Sequence, residues 1–114
     1  MESHEQKAVV MYCDIKGIPI IHIPNEGKRS PRQGKELKEM GLRRGVPDLF
    51  LFRACGRFHG LWIEMKWGKN KLTREQEECL YRLSSEGYAV KVCYTATEAI
   101  KAIERYISLG GQEQ

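Results

Sequence analysis

Asp48-Leu49-Phe50-Leu51-Phe52 is followed, after a link from Ala54 to Gly60, by Leu61-Trp62-Ile63-Glu64-Met65-Lys66. Both are short apolar and aromatic runs of a length that suits strands rather than helices. The link holds Gly56 and Gly60, so the pair is expected to fold as an antiparallel hairpin. Three polar residues stand out against this background. Glu64 lies near the end of a strand of Leu, Trp, Ile and Met. Lys66, two residues on, points to the same face about 6–7 Å further along. Asp48 opens the first strand, directly after Gly45-Val46-Pro47. Antiparallel pairing sets the start of one strand beside the end of the other, which brings Asp48 near Glu64 and Lys66.

Outward from the hairpin, local signals order the rest of the chain. Ser3 and Gln6 form a capping box that predicts a first helix from His4 to Lys16, stopped by Gly17. Pro19 to Ile23 reads as a short strand and Pro24 to Gly34 as a loop. A short helix is expected from Lys35 to Met40, closed by Gly41. Thr73 and Gln76 form a second capping box, opening a helix to about Glu86 that Gly87 stops. Tyr88 to Tyr94 reads as a strand. Thr95 and Glu98 open a last helix with Ala96, Ala99, Ile100, Ile103 and Ile107 on one stripe. The strands read as apolar on both sides. The expectation is an α/β domain spanning residues 1–114, a mixed sheet covered by helices on both faces.

The length suits one domain and no more, at 114 residues with 41% hydrophobic and 30% charged. No apolar run approaches the ~20 residues of a membrane span, and the N-terminus lacks a signal-peptide pattern. Cys13, Cys55, Cys79 and Cys93 form no Cys-x-x-Cys pair. That spacing argues against zinc, and the apolar patterns around Cys13, Cys79 and Cys93 argue against a disulfide framework and for buried thiols in a reducing cytoplasm. The net charge of +4 conceals a segregation. From Lys28 to Arg74 there are 13 basic and four acidic residues, a balance of +9, against −5 for the remainder. Such a segment suits a polyanion, or is a solvated basic face.

Asp48 and Glu64 are hard oxygen ligands suited to Mg²⁺ or Mn²⁺, and Lys66 is placed to hold or deprotonate a water or to stabilise a phosphate. The same residues also fit plainer roles. Glu64 and Lys66 suit an edge-strand ion pair, and Asp48 a turn after proline. Gln76 shares a helical stripe with Leu72, Cys79, Leu80 and Leu83, which turns its amide toward the sheet in addition to its capping role. Glu5 begins the stripe of Val9 and Cys13, and it is also an ordinary first-turn glutamate.

Gly45-Val46-Pro47-Asp48-Leu49, Gly60 through Lys66, and Leu72-Thr73-Arg74-Glu75-Gln76, taken in this order, resemble the VRR-NUC family of the PD-(D/E)XK nuclease superfamily. The likeness extends to Ser3-His4-Glu5-Gln6, to Ile23-Pro24-Asn25-Glu26-Gly27, to Gly87-Tyr88 and to Ala99-Ile100. It implies a restriction-endonuclease-like core in α-β-β-β-α-β order with a closing helix. The form is that of a stand-alone, phage-type minimal member in the host cytoplasm. The resemblance makes Asp48 and Glu64 the metal-binding acids, with the Met65 main-chain carbonyl completing the site. Lys66 becomes the catalytic lysine, Gln76 its companion, and Glu5 a residue that meets the metal directly or through water. Where the family turn usually reads Pro-Asn-Gly-Gly, this chain has Pro24-Asn25-Glu26-Gly27.

The activity implied is a Mg²⁺-dependent endonuclease for branched DNA, a Holliday junction resolvase acting as a homodimer. Arg29, Arg32, Arg43, Arg44, Lys69 and Lys71 would contact phosphates. No nucleotide cofactor and no membrane enter. The alternatives are a flap or duplex-end nuclease of the same chemistry, and a non-catalytic junction-binding module.

Overall fold

The computed structural model describes residues 2–24 and 30–111. The elements follow the expected order: α1 (Glu2–Lys16), β1 (Ile20–His22), α2 (Pro31–Glu39), β2 (Leu49–Leu51), β3 (Leu61–Met65), α3 (Arg74–Ser85), β4 (Ala89–Cys93) and α4 (Ala96–Gly111). They form one mixed sheet in the order β1-β2-β3-β4. β1 and β3 run antiparallel to β2, and β4 runs parallel to β3. The parallel step needs a crossover, which α3 supplies. The hairpin link is tied down by a bridge between Cys55 and Phe58, and the Tyr106 hydroxyl of α4 donates to the Arg53 carbonyl at 2.6 Å.

The two faces of the sheet differ. Leu49, Leu51, Leu61, Ile63, Met65 and Cys93 share one side and join Val9 and Cys13 of α1 and Ala99, Ala102, Ile103 and Tyr106 of α4 in a single buried cluster. Burying each aliphatic side chain there stabilises the fold by roughly 1.5–3 kcal/mol. Alternation puts Phe50, Trp62 and Glu64 on the other side. There α3 packs, and its buried Leu80 stands outside the main cluster.

The expected cover on both faces is incomplete. Phe52 is 51% exposed and Ile21 44%, beside a Phe50–Trp62 stack with ring centroids 4.3 Å apart. An apolar strand pattern marks side chains fit for burial but cannot supply the helix that buries them. α2 buries none of its side chains.

Two helix starts also differ from the reading above. α1 begins at Glu2, ahead of the expected start at His4, so the Ser3 backbone lies within the helix. α2 begins at Pro31, within the stretch read as loop. Ser30 caps it with a complete box to Gln33, and Pro31 takes the first turn, where its missing N–H has no partner to lose.

All four cysteines are free, and Cys13, Cys55 and Cys93 are buried. Burial pushes the Cys13 and Cys93 thiols up to about 11. Alkylation at about pH 8 should leave both unmodified until denaturant is added, as peptide mass mapping would show. Among the described residues, no helix is long and apolar enough to cross a membrane.

Candidate active site

One end of the sheet gathers polar side chains from four elements. In the β2–β3 register Leu49 faces Ile63, so Asp48 and Glu64 occupy the next cross-strand row. Asp48 extends the sheet on both sides. Its carbonyl accepts the Ile23 N–H at 2.8 Å, and its Oδ2 accepts the Met65 N–H at 2.8 Å. Side chain thus replaces backbone as the last rung of the β2–β3 ladder. The N–H and C=O of one strand residue project to the same edge, so the Met65 carbonyl faces the Asp48 side too. Lys66 continues the β3–β4 ladder through its N–H to the Cys93 carbonyl at 2.9 Å, and its side chain is half-buried.

Among the described residues Glu64 is the buried charged one, at 4% exposure, on the face of the sheet opposite the main cluster. Its Oε2 accepts from Gln76 Nε2 at 3.1 Å. The same Gln76 amide completes the α3 cap: Oε1 accepts the Thr73 N–H at 2.9 Å, while the Gln76 N–H donates to Thr73 Oγ1 at 3.1 Å. Capping and contact with Glu64 are therefore not rival roles. The cap fixes which way the amide points, and the nitrogen left over meets the carboxylate. Cys79, one turn along α3, is half-buried and within reach of the Glu64 charge. Burial raises its pKa first, and the Glu64 charge adds to the rise.

Glu5 reaches this end of the sheet from α1, and its Oε1 accepts the Ala96 N–H at 2.6 Å. It thereby caps α4 together with Thr95, whose Oγ1 accepts the Glu98 N–H at 3.1 Å. A carboxylate is favoured there by the unsatisfied N–H groups and the helix dipole. The oxygen donors on hand for a metal are the Asp48 and Glu64 carboxylates and the Met65 carbonyl. Among the described residues, no group of three or more His, Cys, Asp or Glu could hold an ion.

The basic residues are spread more widely. Arg32, Arg43, Arg44, Lys69 and Lys71 are exposed, and Arg29 lies outside the described residues, as does the turn Asn25-Glu26-Gly27. Arg43 donates to the Lys38 and Leu42 carbonyls at 3.0 and 3.1 Å, closing the C-terminal end of α2. The loop of Lys69 and Lys71 is held by the Tyr94 hydroxyl, which donates to the Asn70 carbonyl at 3.1 Å.

The family model for the VRR-NUC domain matches residues 3–97, most of the chain. The chain belongs to the VRR-NUC family. Members of this family are nucleases, and DNA is the substrate class that the family implies. Among solved structures, one described as "VRR_NUC domain protein" is similar at 33% identity and a TM-score of 0.82, covering 96% of this chain and 89% of its own. Comparison with curated proteins found no match.

Within the VRR-NUC fold two further groups stand at the site, His22, which the sequence reading passed over, and Gly45, which it quoted without a role. His22 Nδ1 lies 3.0 Å from Gln6 Nε2 and 3.1 Å from the Asp48 carbonyl, linking α1, β1 and β2. A histidine ending the strand that pairs with β2 was the available signal. Gly45, at φ +86°, lies against the first turn of α3. Its place just before Val46-Pro47-Asp48 was visible, but its neighbour was not.

Proposed function

We propose that this chain is a metal-dependent endonuclease that hydrolyses phosphodiester bonds in branched DNA, four-way junctions foremost, and that it works as a homodimer. The observation that carries this reading is the meeting of Asp48, Glu64, Lys66 and Gln76 at one end of the sheet, within a nuclease family. The donor set fits Mg²⁺, with Mn²⁺ as a substitute. Two carboxylates and a carbonyl are hard oxygens, and their small number suits an ion that keeps much of its water. When bound, such an ion lowers the pKa of a coordinated water and offsets charge on a phosphate.

The remaining work falls to the chain's own groups. Gln76 fixes the rotation of the Glu64 carboxylate, and the Met65 N–H fixes that of Asp48. Lys66 brings a cation to the same face as Glu64, where it orients the attacking water or steadies charge building on the phosphate. Arg32, Arg44, Lys69 and Lys71 meet the backbone without reading bases, so binding depends steeply on salt. A two-fold dimer supplies the two symmetric cuts that resolve a junction.

Product mapping on a mobile four-way junction with Mg²⁺, beside flap and duplex controls, tests this reading. Paired symmetric nicks are expected, and Asp48→Ala and Lys66→Ala should bind the junction without cutting it. Undiminished cleavage by Asp48→Ala would overturn the assignment. Cutting of the flap alone would move the substrate, and binding without cutting of any DNA would favour a non-catalytic module.

Glu5→Gln separates two roles of one side chain. The amide keeps an acceptor for the Ala96 N–H and gives up the charge. Thermal stability should stay close to wild type, while cleavage falls by about 10–100-fold, as for a group beside a metal's water shell. Glu5→Ala should lose the cap as well, at about 1 kcal/mol in a denaturant titration.

A further inference from the structure

α1 buries Val9 and Cys13 in the core, yet its other side carries Met11 at 63% exposure and Ile15 at 76%. With Gln6, Lys7, Val10 and Asp14 these residues line an open groove of about 430 Å³. Lys7 and Asp14 lie two helical turns apart on the midline of this stripe, with Val10 and Met11 flanking it. Both charged residues are exposed, and among the described residues neither side chain makes an ion pair or a hydrogen bond.

We propose that this face of α1 is a self-association surface, packing antiparallel on α1 of a second copy about a two-fold axis that passes between Val10 and Met11. Lys7 and Asp14 stand equally far from that axis, each about 5 Å along the helix. The two-fold therefore sets Lys7 of each copy level with Asp14 of the other, twice over, while Val10 and Met11 meet their own copies beside the axis. A parallel arrangement would oppose like charges at both positions, so the charge pattern selects the antiparallel one. The face is complementary to itself, and that is what identifies a second copy as its occupant. The surface locates the homodimer of the preceding reading and rests on it only for the expectation of two active sites. Gln6 belongs both to this groove and to the contact with His22, so the interface borders the site.

Sedimentation equilibrium over a range of concentrations tests the surface. Wild type should reach twice its 13.2 kDa. Lys7→Asp and Asp14→Lys each place like charges at both contacts, and each should weaken self-association by about tenfold or more. An equimolar mixture of the two variants restores opposite charges at both contacts and should dimerise like wild type. Met11→Glu, which places a charge beside the axis, should be monomeric with an unchanged circular dichroism spectrum. Wild type that stays monomeric at all concentrations would overturn the surface and the homodimer together. Variants that dimerise as tightly as wild type would overturn the surface alone. Protein that follows the charge pattern but cuts no DNA keeps the surface and loses the nuclease reading.

Discussion

Glu64→Gln should lower metal-dependent cleavage by about 10³-fold or more while raising the stability of the metal-free protein. The two effects share one cause. Glu64 is 4% exposed, and taking a carboxylate out of water to that degree carries a desolvation penalty that a neutral amide of the same shape avoids. Glutamine has the same shape and still offers an oxygen to Gln76 Nε2, so the contact at 3.1 Å is retained without the charge. Removing the charge should stabilise the fold by about 1 kcal/mol, a rise of about 4 °C in Tm. The same change withdraws a charged oxygen donor from the proposed metal site. Wild-type Tm should therefore rise on addition of Mg²⁺ or Mn²⁺, because an ion bound only by the folded state shifts the equilibrium, whereas Glu64→Gln should show no such rise. An equal metal-induced rise in both proteins would remove Glu64 from the metal site, whatever happened to cleavage.

Parts of the molecule that depend on short-range chemistry were legible in the sequence. The Thr73–Gln76 box stands as read, because a cap is settled within four residues. The juxtaposition of Asp48 and Glu64 followed from the hairpin register alone. The start of α2 was read too late for a reason that is equally local: Ser30-Pro31-Arg32-Gln33 contains the same cap spacing as Thr73–Gln76, but Pro and Gly suggested a loop. Proline at the first turn starts a helix as readily as it ends one.

What the sequence could not reveal is contact between distant segments. Glu5 and Ala96 are 91 residues apart, and only the packing of α1 against α4 brings that carboxylate to the N–H. The link through Gln6, His22 and Asp48 likewise joins three elements, none of whose local patterns refers to the others. The uncovered aromatic face has the same origin, since Phe50 and Phe52 alternate like residues of a covered strand. Whether a helix lies over them is decided elsewhere in the chain.

Gly45→Ala should be among the most damaging single methyl additions in the protein. At φ +86° the backbone is in the left-handed region, where a Cβ is strained before any neighbour is considered. The neighbours here are backbone. An added Cβ would overlap the Glu75 carbonyl oxygen and lie 2.5 Å from the Glu75 carbonyl carbon and 2.8 Å from the Gln76 nitrogen. A flexible side chain could swing aside, but the first turn of α3 has to move as a unit. Strain and overpacking together should cost about 3 kcal/mol, a fall in Tm on the order of 10 °C. The displacement falls on Gln76, whose Nε2 holds Glu64 Oε2 at 3.1 Å, so a shift of about 1 Å breaks that contact. Cleavage measured well below the lowered Tm should still be reduced, by about 10²-fold. Gly17→Ala is the matched control. Gly17 has φ +72° and nothing within 4 Å of an added Cβ, so it reports the backbone strain alone, at about 1 kcal/mol. If Gly45→Ala lost no more stability than Gly17→Ala and cut DNA normally, the close approach of Gly45 to α3 would not be what positions Gln76.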